Sequence, residues 1–292
     1  MTGGVLLPGL VPEPVVVRAD DLVYGRGRVL LLVIAHADDA AIFAGGAVAL
    51  FVQAGWHVHA LRVTDDRWDS VGLPETETIA RNAAELREAA AILGIAAVED
   101  LGFQTDVLGD VSRVALRERI IRAIRRLKPY ALMSFDPDAM LHEDNLDHKV
   151  LAEAVDEAFW TAMFDKHHPE HADEGLAPHG TVERWYFGRS VPVVTHVFDT
   201  SDVLDRQMRA VAAHATPIAN MAWQYVLQAE TAGRPEAETA AVTADPAGAL
   251  CARLAGAAAM RGRRFGLAAA EYLRLHRTAF AGAGAEPRGP EG

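Results

Sequence analysis

The chain has 292 residues, 50% of them hydrophobic, and a formal net charge of −12 from 28 Lys+Arg against 40 Asp+Glu. That apolar content excludes a disordered or collagen-like chain and fits one globular domain, alone or with an appended subdomain. The acidic balance offers no broad footprint for nucleic acid, and the single Cys251 makes neither an internal disulfide nor a thiolate cluster, so any metal must be held by His and carboxylates and a cytoplasmic setting is expected.

No stretch approaches the ~20 apolar residues of a membrane span. Residues 1–27, broken by Pro8, Pro12 and Pro14, read as an N-terminal arm rather than a signal peptide. Residues 29–35, VLLLVIA, are too few for a good helix and suit a strand buried on both faces of a parallel sheet. The run breaks at His36-Ala37-Asp38-Asp39. Helical spacing over 40–54, closing at Gly55, and an alternating strand over 57–64 complete a βαβ unit. A polar loop at 65–74 leads to a helix at 76–93. A strand at 98–103, an amphipathic helix at 113–127 ended by Lys128-Pro129, and a buried strand at 131–135 follow. The alternation predicts an α/β fold, a doubly wound and mostly parallel sheet flanked by helices, with strand and helix additions toward the C-terminus.

Beyond residue 150 the pattern loosens. An exposed loop is expected at 167–180, strands at 185–187 and 193–198, and a helix at 201–214 capped by Ser201 or Asp202. Residues 230–246, rich in Ala, Glu, Thr and Pro, read as a mobile surface excursion, and 253–278 as helix. The expected organisation is an arm (1–27), a core with its pocket loops (28–226), an excursion and helix packed on the core (227–281) and a disordered tail (282–292).

His36, Asp38, Asp39, Thr64 and Asp136 all fall at carboxyl ends of strands, where doubly wound sheets bind ligands. At a strand-to-helix turn the chain changes direction, so His36 and Asp39 can converge with Asp38 beside them. Imidazole nitrogen and carboxylate oxygen are normal zinc ligands. The best source of a third is His142-Glu143-Asp144-Asn145-Leu146-Asp147-His148, after the strand ending at Asp136. Two His and one Asp leave a fourth position open for water, the catalytic rather than the closed structural arrangement.

AHADDAAIFAGG resembles the AHPDDEEIFAGG signature of the PIG-L/LmbE-like zinc N-deacetylases (GlcNAc-PI de-N-acetylase-like), and NLDH resembles that family's (H/N)xDH motif. ALMSFDP, AELREAAAILGI and SDVLDRQMRAVAAHA occur in the family's order, so the resemblance spans most of residues 28–215. It implies a Rossmann-like fold with one divalent metal per chain, usually Zn2+, that hydrolyses an N-acyl group, acetyl above all, on a small amino sugar or a conjugate of one. By position, His36, Asp39 and His148 would ligate zinc, Asp38 would be general base and acid, and Asn145 or His142 would stabilise the oxyanion. Asp147 reads as a carboxylate behind the ligands. Arg81, Asp65, Asp66 and His214 are the substrate-side candidates. The chain departs from the pattern at Ala37 for Pro and at Ala40-Ala41 for Glu-Glu, so a carboxylate that orients the site is expected to be missing. Asn82 stands where Arg is common, with Arg81 displaced by about 100° around the helix.

Each residue also has a plainer role. The first cluster caps a solvated helix N-terminus, Asp65 and Asp66 serve a turn, His148 lies on the surface, Asn145 and His142 bond within a loop, and His214 favours a helix end. His167, His168 and His171 suit a flexible or solvated loop, and Gly45-Gly46 suits close packing of helix on sheet. Rival activities are an amidase acting on thiol conjugates and, more distantly, a sugar-binding or glycosyltransferase-like protein without hydrolase activity. A homo-oligomer is compatible with the sequence.

Overall fold

The computed structural model describes residues 13–234 and 236–278, without the side chains of residues 140–142 and 238. The expected disordered tail and the first twelve residues of the arm lie outside them. Eight strands form one sheet in the order β1-β7-β8-β6-β5-β2-β3-β4. The strands are β1 (Val15–Val17), β2 (Val29–Ile34), β3 (His57–Thr64), β4 (Ala97–Phe103), β5 (Ala131–Phe135), β6 (Glu183–Phe187), β7 (His196–Asp199) and β8 (Ala270–Arg277). The helices, in chain order, are α1 (Asp39–Gln53), α2 (Glu75–Leu93), α3 (Arg113–Leu127), α4 (Leu146–Thr161), α5 (Glu170–Asp173), α6 (Leu204–Ala212), α7 (Ala215–Thr231), α8 (Glu236–Ala244) and α9 (Pro246–Arg263). β2 pairs in parallel with both β3 and β5, so the strand order reverses around it and a crevice opens at its carboxyl end. Leu30 to Ile34 are wholly buried, as a run without polar alternation requires.

α1 is apolar on all sides and breaks at Ala44, whose φ of −145° and ψ of 15° are not helical. The freed backbone groups are satisfied from distant sequence. Glu271 of β8 accepts from the Gly46 and Ala47 amides at 3.1 and 2.7 Å, and the Gln207 amide of α6 donates to Ala41 O at 3.0 Å and to Glu271 at 2.7 Å. A methyl group on Gly46 would lie 2.4 Å from Thr200 Cγ2, and one on Gly45 2.8 Å from Gln207 Cγ. Close packing is therefore what the glycine pair serves.

Four expectations need correction. Residues 253–278 are not all helix, because β8 lies antiparallel between β6 and β7 and completes the sheet. Its Glu, Leu and Arg content favours helix locally, and burial between two strands overrides that preference. The expected excursion at 230–246 is mostly helical, taken up by the end of α7, by α8 and by the start of α9. The helix expected from 201 begins at Leu204 with Val203 at its N-cap, and neither Ser201 nor Asp202 caps it. Within 167–180, His171 is fully buried, 2.7 Å from Glu118 and 3.1 Å from Arg125, whose guanidinium also donates to the carbonyls of Phe164 and His167. Of the arm, residues 15–17 pair in parallel with β7.

Candidate metal centre

β2 delivers Ala35 and His36 to the crevice, and Asp39, the first residue of α1, folds back on them. Its Oδ2 accepts from the Ala35 and His36 amides at 2.9 and 2.8 Å, which locks the turn and leaves Oδ1 facing His148 Nε2 at 3.2 Å. His36 Nδ1 stands 3.1 Å from the same His148 nitrogen and 3.8 Å from Asp39 Oδ2. Ligands bound ~2.0–2.1 Å from a tetrahedral ion sit roughly 3.3 Å apart. Two imidazole nitrogens facing each other beside a carboxylate, all three residues buried, thus form a site that fits a divalent cation.

His148 lies in the first turn of α4, its ring stacked on Phe135 at 4.0 Å and meeting Phe43 edge-on at 5.9 Å, so it has little freedom to turn. Behind each histidine stands a buried carboxylate. His36 Nε2 is 3.4 Å from Asp147, which accepts from the Asp106 and Leu108 amides, and His148 Nδ1 is 3.2 Å from Glu143, which Arg189 and the Asn145 amide hold. The first motif has Ala40-Ala41 where a carboxylate was expected to be missing, and the two carboxylates behind the histidines, Asp147 and Glu143, both come from the second motif. Glu143 and Arg189 were not foreseen. Glu143 stands inside the quoted motif, five residues before His148, and that spacing was the only signal; nothing local marks Arg189.

The electrostatics follow from this packing. Burial alone would depress both imidazoles, but Asp147 and Asp39 around His36, and Asp39 and Glu143 around His148, outweigh it and raise them. Burial opposes ionisation of Asp39 and Glu143 as well. The neighbouring histidines reverse that, holding Asp39 far below the carboxylate range and Glu143 at about 2. Asp38 behaves oppositely. Only 7% exposed and without a hydrogen bond among the described residues, it is pushed up to about 7 by burial and then by the Asp39 charge.

The remaining candidates separate. Asn145 caps α4, its Oδ1 accepting from the Asp147 and His148 amides at 2.9 and 3.3 Å. The side chain of His142 lies outside the described residues. Asp66 brackets the turn, accepting from the Ala37 amide, Arg62 and Thr64, although with His36 and Asp69 it also forms a second group of close donor atoms. Asp65 binds Arg67 and Thr105 across neighbouring loops. Arg81 is not brought to the centre. It is exposed and paired with Glu77 at 2.5 Å, whereas its neighbour Asn82 is buried and donates to Asp66 O.

His214, the N-cap residue of α7, is 1% exposed, and neither ring nitrogen has a hydrogen-bond partner among the described residues. Burial lowers it to about 4 against the opposing field of Asp39. A histidine kept neutral in the fold stabilises fully above its unfolded pKa of ~6.5, and the contribution fades as pH falls toward 4, because only the unfolded chain takes up the proton. That difference is worth about 3 kcal/mol at most. His214→Asn is therefore expected to flatten the loss of stability between pH 6.5 and 4, read as denaturant midpoints at each pH; an unaltered acid limb would refute it. A second expectation concerns Glu143: Glu143→Ala should weaken metal binding about 10- to 100-fold, measured by competition with a chromophoric chelator, because His148 loses the group that orients its ring.

Residues 31–159 match the family model described as GlcNAc-PI de-N-acetylase, PIG-L. A diacetylchitobiose deacetylase of Thermococcus kodakarensis is 27% identical over 194 residues, covering 65% of this chain and 70% of the relative. A 1D-myo-inositol 2-acetamido-2-deoxy-alpha-D-glucopyranoside deacetylase of Rhodococcus jostii is 26% identical over 243 residues, covering 65% and 82%. In structure, an N,N'-diacetylchitobiose deacetylase from Pyrococcus horikoshii superposes with a TM-score of 0.71 at 17% identity over 89% of this chain and 88% of the other. The same architecture occurs in a 4-carboxy-2-hydroxymuconate hydratase from Pseudomonas putida KT2440, with a TM-score of 0.61 at 20% identity over 86% and 97%. Fold by itself therefore does not fix the reaction, and the site must. Among the described residues no helix is long and apolar enough to cross a membrane.

Proposed function

We propose that the protein is a zinc-dependent amide hydrolase that removes the acetyl group from an N-acetylated amino sugar or a conjugate of one, in a cytoplasmic setting. The observation that carries the reading is the facing trio of His36, Asp39 and His148, with the buried, unpaired carboxylate of Asp38 beside it. The relatives' acetamido-sugar substrates support the substrate class.

His36 Nδ1, Asp39 Oδ1 and His148 Nε2 would hold the ion. When bound, zinc polarises the amide carbonyl and lowers the pKa of the attacking water toward ~7. Asp38 then does the proton work: its carboxylate takes the proton from the water and returns it to the departing amine nitrogen. Burial raises the Asp38 carboxyl above the ordinary carboxylate range in the metal-free site, the direction that helps it return the proton. Asn145 has committed its Oδ1 to the α4 cap, and its Nδ2 has no hydrogen bond among the described residues, so the NH2 group remains to donate to the oxygen that gains negative charge. Asp147 and Glu143 stand 3.4 and 3.2 Å behind the two imidazoles and would take the protons of the ring nitrogens that face away from the ion. The test is to supply metal-loaded protein with N-acetylglucosamine and N,N'-diacetylchitobiose and to measure free amine and acetate. Equimolar release is expected, and metal-loaded protein that releases neither would overturn the reading.

A further inference from the structure

α1 changes direction at Ala44, where φ is −145° instead of the ~−63° of a continuous helix. The two pieces have different anchors. Residues 45–53 are seated by the close packing of Gly45 on Gln207 and of Gly46 on Thr200. Residues 39–43 bring Asp39 to the His36 turn at one end and Phe43 to the ring of His148 at the other. With the second piece fixed, the angle at Ala44 decides where Asp39 and Phe43 arrive.

A buried pair of side chains from distant sequence holds that angle. Glu271, 5% exposed, accepts from the amides of Gly46 and Ala47, donors at the start of the second piece. Gln207, 4% exposed, donates both to Ala41 O in the first piece and to Glu271 Oε1. One amide group thus ties the two pieces together across the break.

Phe43 is where a change of angle is felt. Its ring meets His148 edge-on at 5.9 Å, lies 5.4 Å from Phe135 and has the Arg189 guanidinium 5.7 Å from its centre. Arg189 in turn holds Glu143, the carboxylate behind His148. A single ring therefore contacts one member of the trio and the residue that secures that member's partner, while Asp39, four residues earlier, is a second member.

We propose that Gln207 and Glu271 are positioning residues for the metal centre: by fixing the break in α1 they set the approach of Asp39 and, through Phe43, the ring of His148. The inference rests on the reading of His36, Asp39 and His148 as metal donors.

Co2+ tests it without any turnover, because its visible absorption reports the geometry of its ligands. Affinity, absorption and Tm are measured for wild-type protein and for Gln207→Met, which keeps the length of the side chain and removes its amide while Glu271 still caps the second piece. Glu271→Gln, alike in shape, is the second variant. Phe43→Leu interrupts the same path nearer the centre. Val58→Ala, a buried truncation at the amino end of β3 and away from the crevice, controls for lost stability alone. Gln207→Met and Glu271→Gln are each expected to bind Co2+ about tenfold more weakly and with altered absorption, the low end of what residues supporting metal ligands contribute. Val58→Ala should lower the Tm and leave affinity and absorption as in wild type. Because Gln207 acts partly through Phe43, the loss in Gln207→Met/Phe43→Leu should fall short of the product of the two single losses. Wild-type affinity and absorption in Gln207→Met and Glu271→Gln, or losses that multiply in the double variant, overturn the proposal and leave the metal centre standing. Wild-type protein that binds no Co2+ removes the metal centre, and the positioning role with it.

Discussion

Asp38→Asn is expected to keep the metal and the fold and to lose about 100-fold or more in the rate of acetate release, the scale of a positioned acid or base. The substitution preserves shape and removes only the group that accepts a proton. Asp38 is suited to this test because it does not hold the turn: the Ala35 and His36 amides are bound by Asp39, and α1 begins without a side-chain cap from Asp38. Asparagine also relieves a buried carboxylate next to Asp39, so stability should be unchanged or slightly increased. Metal content by elemental analysis, a thermal melt and the rate of amine release check the three parts. Loss of metal in Asp38→Asn would make Asp38 a ligand, and undiminished turnover would end its role as proton carrier.

His148→Ala and His36→Ala are expected to bring metal content from one ion per chain to near zero. Each histidine would be one of three protein donors among the described residues, and the two remaining could not define a tetrahedral site. The effect should also appear without any activity measurement. A metal that binds only the folded chain stabilises it by about 2.7 kcal/mol at one hundred times its dissociation constant, so added zinc should raise the Tm of wild-type protein and leave both variants where they were. Truncating His148 also opens a gap beside Phe135 and Phe43, and the His148→Ala melt should lie lower than that of His36→Ala. Unchanged metal content in folded samples of both variants would refute the assignment.

Much of this protein can be read from local sequence, because the signals are local. An unbroken apolar run from Val29, a chain reversal at His36, and helices that stop at Gly94 and at Lys128-Pro129 place β2, β3, α2, α3 and β5 within a residue of where they stand. The proposed metal trio is legible for the same reason. Its members sit at strand and helix ends that any doubly wound sheet brings to one edge, and the motif around His148 carries the third donor, a second imidazole.

Tertiary structure decided the rest. AEYLRLHR joins the sheet only because β6 and β7 leave an antiparallel slot that must be filled, and no period in those eight residues announces it. The break in α1 is stable only because Glu271 and Gln207, more than 160 residues away, satisfy the backbone it exposes. His171 is a buried partner of Arg125 and Glu118 although the residues around it read as a solvated loop. Asn82, not Arg81, faces the centre, a matter of rotation about one helix that packing fixes. Local sequence determines where backbone turns and which donors stand at the turns. Which carboxylate backs which histidine, and which side chain is left in the crevice without a partner, is settled by contacts between segments far apart in the chain, where burial makes each unpaired polar group costly.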